Sequence, residues 1–180
     1  KTPDRSRSGR EMIFSLIIVF CVPVLLYLQT SKFGLIDFDD DALITKNLAF
    51  LSDFDNAPRV FMTDAFTDKS SRFYRPLQTL SYMVDIQLSG KNDTWMFHLT
   101  NILLLGLIAC MLFLLLRKFL IPLKLALLST LVYCAHPLFV SNVAWIPARG
   151  DLQLTFFSLL SFLFLIDFLQ NKKPVYLFLN

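Results

Sequence analysis

The 180-residue sequence is 55% hydrophobic, has a mean hydropathy of +0.56, and contains nineteen Phe but only five Gly. An ordinary soluble domain carries less apolar sequence, so the composition predicts a membrane protein. The net charge of +3 does not indicate nucleic-acid binding, because the basic residues lie beside apolar runs and form no stripe with aromatic residues. The three cysteines lie inside apolar runs without C-x-x-C spacing, which argues against a thiolate metal site.

Four apolar runs are long enough to be membrane-spanning helices. They cover residues 12–29, 97–116, 125–146 and 152–169. A bilayer core of roughly 30 Å needs about 20 apolar residues in a helix. Residues 170–180 read as a turn and the start of a further helix that stops within an apolar stretch, so we expect the sequence to be part of a longer chain. The predicted fold is an all-α polytopic membrane protein with about four to five transmembrane helices.

Basic residues predict the orientation of these helices, because short cytoplasmic loops are enriched in Lys and Arg. The tail of residues 1–11 and the connection of residues 117–124 are basic, and Lys172 and Lys173 follow the fourth run. We therefore expect a cytoplasmic N-terminus. The long connection of residues 30–96 and the short one of residues 147–151 are then outside.

A cleaved signal peptide is the alternative interpretation of the first run, since Arg5, Arg7 and Arg10 precede it. The run is long for a signal peptide, and no small-x-small cleavage site follows it. These two features favour a retained helix.

The outer loop of residues 30–96 is too long for a simple connection and carries ten aspartates against seven Lys or Arg residues. Pro76 and Gly90 bracket an amphipathic pattern and are a typical start and stop for a helix. The apolar positions recur with helical spacing and predict a helix lying in the membrane interface: Leu77, Leu80, Val84 and Leu88. A second short helix is predicted over residues 42–50, with Asp41 as its cap.

The densest chemical signal is an acidic cluster near the outer end of the first helix, Asp37-Phe38-Asp39-Asp40-Asp41. Four carboxylates within five residues repel one another, so at least one should have a raised pKa unless a cation or metal lies among them. The cluster therefore predicts a general base or a cation site. On composition alone, a solvated acidic loop with Asp41 as a helix cap explains it as well.

Cationic groups border the same predicted aqueous face as the aspartates. Arg75 follows Tyr74 directly before the interfacial helix, and Arg149 precedes the fourth run. His98 and His136 lie at the outer ends of the second and third runs. Together with the carboxylates, these groups could hold a phosphate beside a base. Taken singly, each has a simpler interpretation as an interfacial residue whose charge extends into water.

An ordered set of motifs gives the sequence a resemblance to a known family. Along the chain they are Phe38-Asp-Asp-Asp-Ala-Leu-Ile-Thr-Lys-Asn47, Tyr74-Arg-Pro-Leu77, Phe97-His-Leu-Thr-Asn101, His136-Pro137 and Arg149-Gly-Asp151. In this order they resemble the N-terminal region of the transmembrane, tetratricopeptide-repeat O-mannosyltransferases and their bacterial relatives, which are GT-C enzymes. The resemblance covers about residues 34–168, and no single tripeptide carries it.

The resemblance implies a GT-C-like glycosyltransferase that moves mannose or another hexose from a polyprenyl- or dolichyl-phosphate donor to a hydroxyl of a protein or glycan, with inversion. The transfer would occur at the outer face of a bacterial inner membrane or an endoplasmic reticulum membrane. The resemblance also implies a later tetratricopeptide-repeat domain.

By the same resemblance Asp39 and Asp40 are the catalytic acids, and we assign Asp40 as the base. The positions implied to bind substrate or phosphate are Asp41, Tyr74, Arg75, His98, His136, Arg149 and Asp151. No cofactor is required, although the aspartates also allow a divalent metal at Asp39, Asp40 and Asp41.

One residue departs from the pattern of the family, and two other functions are alternatives to this interpretation. Pro147 occupies a position before Arg149 where many relatives have smaller residues, and a proline there alters the local backbone. A transporter or flippase segment would bind a charged solute through the same Asp and Arg residues, but the sequence lacks paired interrupted helices and charges at mid-span. A catalytically silent membrane scaffold would retain most of the motifs.

Overall fold

The computed structural model describes the backbone of residues 5–66, 73–91 and 93–171, and the side chains from Gly9 onward within these ranges. Every regular element in these ranges is helical, so the predicted all-α fold is confirmed. In chain order the α-helices are α1 (Arg5–Tyr27), α2 (Leu48–Ser52), α3 (Ala57–Val60), α4 (Pro76–Ser89), α5 (Trp95–Lys118), α6 (Leu123–Ala135), α7 (Phe139–Ala144) and α8 (Arg149–Asn171). The predicted further helix within residues 170–180 and the lysines that precede it lie almost wholly outside the described residues.

Three apolar stretches of the described chain are long enough to cross a membrane. They are Gly9–Lys32, Trp95–Lys118 and Ile146–Asn171, of 24, 24 and 26 residues. A helix of 24 residues is about 36 Å long, which exceeds the thickness of a bilayer core. These stretches contain the predicted first, second and fourth runs, so the polytopic membrane character is confirmed.

The predicted third run, residues 125–146, is not one continuous helix. Helix α6 ends at Ala135 after 13 residues, and α7 begins at Phe139. His136 has an extended backbone, with φ −69° and ψ 129°. The following Pro137 explains this break, because the proline ring disfavours helical geometry in the residue before it.

The described residues form two compact units. The first unit takes its residues from Lys1–Leu26, Leu103–Phe139 and Leu154–Asn180, and the second unit from Tyr27–Ile102 and Val140–Gln153. In the first unit, Val19, Phe113 and Ala126 are buried together. A methyl group at Gly106 would lie 3.0 Å from the ring of Phe20, so the absence of a side chain lets α5 approach α1 closely.

The second unit has its own apolar core. Leu43, Leu51, Val60 and Met83 are buried there, so that the short helices α2 and α3 pack against α4. The predicted helix over residues 42–50 is replaced by a π-helical turn, Asp41–Thr45, followed by α2. Asp41 lies within that turn and therefore does not act as the predicted cap.

Helix α4 confirms the prediction from Pro76 and Gly90 and presents two different faces. Pro76 occupies its first position, and Gly90 ends it with a φ of +92°, a conformation that glycine adopts without strain. The predicted apolar stripe is largely exposed, since Leu77, Val84 and Leu88 reach the surface. The opposite face is buried and carries most of the polar residues: Gln78, Thr79, Tyr82 and Asp85. Contact of the exposed stripe with a membrane interface stays a prediction.

Candidate functional site

Arg149, the first residue of α8, lies at the centre of the polar interior of the second unit. Its side chain is 0% exposed. Its Nε donates to Asn101 Oδ1 at 2.8 Å, and its Nη2 donates to the carbonyl oxygen of Phe97 at 2.6 Å. The guanidinium group therefore ties the beginning of α8 to the first turns of α5.

The same guanidinium group binds α4. Its Nη1 donates to Ser81 Oγ at 3.0 Å and lies 2.5 Å from Asp85 Oδ2. Asp85 also accepts a hydrogen bond from Thr100 Oγ1 at 2.7 Å. Burial raises the pKa of Asp85, and the charge of Arg149 opposes that shift. The pair is therefore a buried, hydrogen-bonded ion pair that joins α4, α5 and α8.

Aromatic rings complete the surroundings of this cation. The guanidinium carbon lies 4.6 Å from the ring centroid of Tyr82 and 5.7 Å from that of Phe97. Burial raises the pKa of Tyr82 to about 12, so its hydroxyl stays protonated and can donate to the carbonyl oxygen of Ile146, 3.3 Å away. The predicted phosphate contact of Arg149 does not fit this geometry, because all three side-chain nitrogens bind partners inside the unit.

Arg75, unlike Arg149, is an accessible cation. Its side chain is exposed directly before α4, and its guanidinium lies 5.5 Å from the ring centroid of Phe73. Arg75 Nη1 is 3.5 Å from Gln78 Oε1, and the backbone of Gly150 is close to both side chains. The predicted motif around Arg149 thus places Gly150, rather than Arg149 itself, beside Arg75.

The four carboxylates of the acidic cluster have different surroundings: Asp40 is buried, Asp39 is half-buried, Asp41 is paired and Asp37 is exposed. Asp40 is 1% exposed, and its Oδ2 accepts a hydrogen bond from the backbone N–H of Ile36 at 2.8 Å. Its other oxygen, Oδ1, is buried without a hydrogen-bond partner. Burial raises the pKa of Asp40, and the negative charge of half-buried Asp39 adds to that shift. Asp41 instead forms an ion pair with the exposed Lys46 at 2.7 Å.

The described residues do not form a metal site at this cluster. No group of three or more His, Cys, Asp or Glu side chains in the described part of the chain is arranged to hold a metal ion. Asp41 is bound to Lys46, and one oxygen of Asp40 is bound to the backbone. The divalent metal considered at Asp39, Asp40 and Asp41 therefore gains no support from the geometry.

The other predicted site residues each have their own surroundings. His98 is 1% exposed beside Phe33 and the backbone of Val143, and neither ring nitrogen makes a hydrogen bond of good geometry. Tyr74 is exposed and donates to the carbonyl oxygen of Phe61 at 3.0 Å. Asp151 is exposed in the first turn of α8.

His136 lies in the first unit and is exposed, with its Nδ1 accepting from the backbone N–H of Leu138 at 3.2 Å.

Sequence reasoning missed the residues that surround Arg149. Ser81 and Asp85 are four residues apart on α4, where Ser81 borders the exposed leucines and Asp85 is buried. That spacing places two polar groups side by side and was the available signal. Asn101 belonged to a quoted motif without an assigned role, and the structure places it on the Nε of Arg149.

Comparison with known proteins supports the resemblance read from the motifs. The chain is 35% identical over 111 residues to protein O-mannosyl-transferase TMTC4 of Mus musculus. This match covers 54% of the chain and 15% of that protein. It is 28% identical over 163 residues to protein O-mannosyl-transferase Tmtc2 of Drosophila melanogaster, covering 85% of this chain and 17% of that protein. The predicted resemblance to the O-mannosyltransferases is therefore confirmed.

The chain spans only about a sixth of the length of these two relatives, 15% and 17%. No family model and no solved structure matches it.

The buried ion pair predicts a large difference between two substitutions of charged residues. Arg149→Met should lower the free energy of unfolding by about 3–5 kcal/mol, because it leaves the Asp85 charge buried without its partner. Asp41→Asn, which breaks the exposed pair with Lys46, should cost less than about 1 kcal/mol. Unfolding of the detergent-solubilised protein measures both. Equal effects would contradict the assignment of Arg149 to a structural ion pair.

Proposed function

We propose that the chain is the membrane-embedded part of a glycosyltransferase that moves a hexose, mannose by its relatives' names, from a polyprenyl- or dolichyl-phosphate donor to a hydroxyl group. A protein or glycan would carry that hydroxyl. The relatives are named as protein O-mannosyl-transferases, and three described stretches are long and apolar enough to cross a membrane. Both observations support a sugar transfer carried out at a membrane.

The single observation that carries the proposal is the state of Asp40. A buried carboxylate oxygen without a hydrogen-bond partner is unfavourable, by about 1–3 kcal/mol in typical proteins. A hydroxyl group that donates to Asp40 Oδ1 would relieve this cost, and no internal hydrogen bond to that oxygen would have to break. Because Asp40 is 1% exposed, the acceptor must displace part of the surrounding turn to reach it.

The raised pKa also suits Asp40 to the role of general base. A carboxylate with an ordinary pKa is a weak base, and burial moves it closer to neutral pH, where it accepts a proton more effectively. Asp39 supports this state, since its adjacent negative charge raises the same pKa. The proposed roles of Asp39 and Asp40 therefore follow from their different environments.

Arg75 provides the charge needed on the leaving group. In the proposed step the acceptor hydroxyl gives its proton to Asp40, and its oxygen forms a bond to the anomeric carbon of the donor. The bond from that carbon to the phosphate oxygen breaks, and the electron pair leaves with the lipid phosphate, which gains one negative charge. An exposed guanidinium beside that phosphate stabilises the developing charge without a metal ion.

The basic residues that predict the topology support an outer-face location for this chemistry. A cytoplasmic N-terminus with Arg10 and a cytoplasmic end of α5 with Arg117 and Lys118 leave the acidic cluster and Arg75 outside. The membrane would be a bacterial inner membrane or the endoplasmic reticulum membrane.

Asp40→Asn in the full-length protein should lower sugar transfer from a radiolabelled polyprenyl-phosphate donor at least about 100-fold, because the amide cannot accept the acceptor's proton. The measurement uses membranes with equal amounts of each variant. Asp37→Asn is the matched control, since it makes the same change from acid to amide at an exposed aspartate of the same cluster, and it should keep transfer within about twofold of wild type.

Full activity in the Asp40→Asn protein would refute the assignment of the base. Absence of transfer by the wild-type protein from every donor would favour a transporter segment or a silent scaffold.

The raised pKa predicts a pH dependence with a definite sign. Asp40 acts as a base only when ionised, so kcat/KM should fall as the pH drops through its pKa, at a pH above the ordinary value of 3.8. Asp39→Asn removes the neighbouring negative charge and should move that acid limb to lower pH. A pH profile of residual transfer activity measures the shift. An acid limb that does not move, or that moves to higher pH, would contradict the electrostatic effect of Asp39 on Asp40.

A further inference from the structure

Gln78 is a fixed side chain next to the exposed Arg75. It is 2% exposed, and its Nε2 donates to the hydroxyl of Tyr82 at 2.7 Å and to the carbonyl oxygen of Pro147 at 3.0 Å. Its Oε1 then faces Arg75 Nη1, 3.5 Å away. Because two hydrogen bonds hold the amide, Gln78 cannot rotate away from Arg75 without losing both.

Gly150 forms the other side of the space around Arg75. A methyl group added at Gly150 would lie 2.8 Å from Gln78 Oε1 and 3.2 Å from Arg75 Nη1. The first distance is shorter than real contacts allow, so Gln78 would have to move, and the second is tight, so Arg75 would have to shift by a few tenths of an ångström. Because Gln78 Oε1 faces Arg75 Nη1, a displaced Gln78 also changes the position of the exposed Arg75 guanidinium.

Arg149 fixes the positions of both Gly150 and the helix that carries Gln78. It is the residue before Gly150 in the chain, and its own side chain binds Ser81 and Asp85 on α4, the helix that carries Gln78 and begins next to Arg75. A Lys in its place could not make the same divergent set of bonds, because an ammonium group lacks the planar fork of the guanidinium.

We infer that Gly150, together with the Arg149–Asp85 ion pair, positions the Arg75 guanidinium for the donor phosphate. Gly150 acts by leaving space for Gln78 Oε1, the atom that faces the Arg75 guanidinium. The ion pair acts by fixing α4 and the beginning of α8 relative to each other. None of the three residues touches the substrate. The inference rests on the proposed function, because it assumes that Arg75 binds the leaving phosphate.

Gly150→Ala tests this role without breaking the ion pair. In the full-length protein it should lower kcat/KM for the lipid-phosphate donor about tenfold, mainly through KM, with the KM for the acceptor unchanged. The midpoint of thermal unfolding should fall by no more than about 5 °C, because the displaced Gln78 weakens its two hydrogen bonds while the ion pair stays intact. Gly34→Ala is the matched control in the same unit, since a methyl group there meets no atom within 4 Å, and it should transfer sugar at the wild-type rate.

A double-variant cycle separates positioning from a general loss of structure. In an Arg75→Ala background, Gly150→Ala should have no further effect on donor kcat/KM, because the group that it displaces is already absent. In the same Arg75→Ala background, Arg149→Lys should likewise have no further effect on donor kcat/KM, measured for the fraction of protein that remains folded. Full additivity with Arg75→Ala, or a Gly150→Ala enzyme equal to the Gly34→Ala control, would overturn the inference.

The cycle also distinguishes failure of the inference from failure of the proposed function. If Arg75→Ala alone leaves donor kcat/KM unchanged, Arg75 does not bind the phosphate, and the proposed function loses its leaving-group residue. If Arg75→Ala lowers it at least about tenfold while Gly150→Ala acts independently, only the positioning role is refuted.

Discussion

A guanidinium group taken out of water needs an acceptor at each of its three nitrogens and a negative charge nearby, since an isolated buried ion is too costly for a folded protein. Arg149 meets this requirement with Asn101, Ser81, the Phe97 carbonyl and the carboxylate of Asp85. These partners come from α4 and α5, so the hydrogen bonds of one side chain on α8 join three helices. The second unit depends on this interaction, because its polar residues face inward along α4 while leucines face outward.

Asp40 is the opposite case in the same unit. Arg149 has its polar atoms bound to protein partners, whereas Asp40 keeps one buried oxygen without a partner. A fully bound group favours one rigid arrangement, while a buried group without a partner gains free energy from any ligand that completes its hydrogen bonds. This contrast separates residues that build the site from residues that would act on a substrate. It assigns Arg149 and its ion-pair partner Asp85 to the framework, and it leaves Asp40, the buried ring of His98 and the exposed Arg75 as groups that a substrate could contact.

Much of this architecture was predictable from the sequence. Long uncharged runs predicted the spanning helices, and Pro76 and Gly90 predicted α4, because these signals are local. The end of α6 at Ala135 was missed, although Pro137 was the local signal for it. The role of Arg149 could not be predicted, because it depends on bringing Asp85 and Asn101 within hydrogen-bond distance, and such contacts between distant residues have no local pattern.

The most direct test of the central claim is the reactivity of individual arginines in the folded, detergent-solubilised protein. Phenylglyoxal modifies accessible guanidinium groups, and mass spectrometry of the digested protein measures the modification at each position. We expect Arg75 and the exposed Arg59 to react readily and Arg149 to react only after denaturation. Modification of Arg149 in the folded protein at a rate similar to that of Arg59 would contradict the buried ion pair and return Arg149 to the set of possible phosphate ligands.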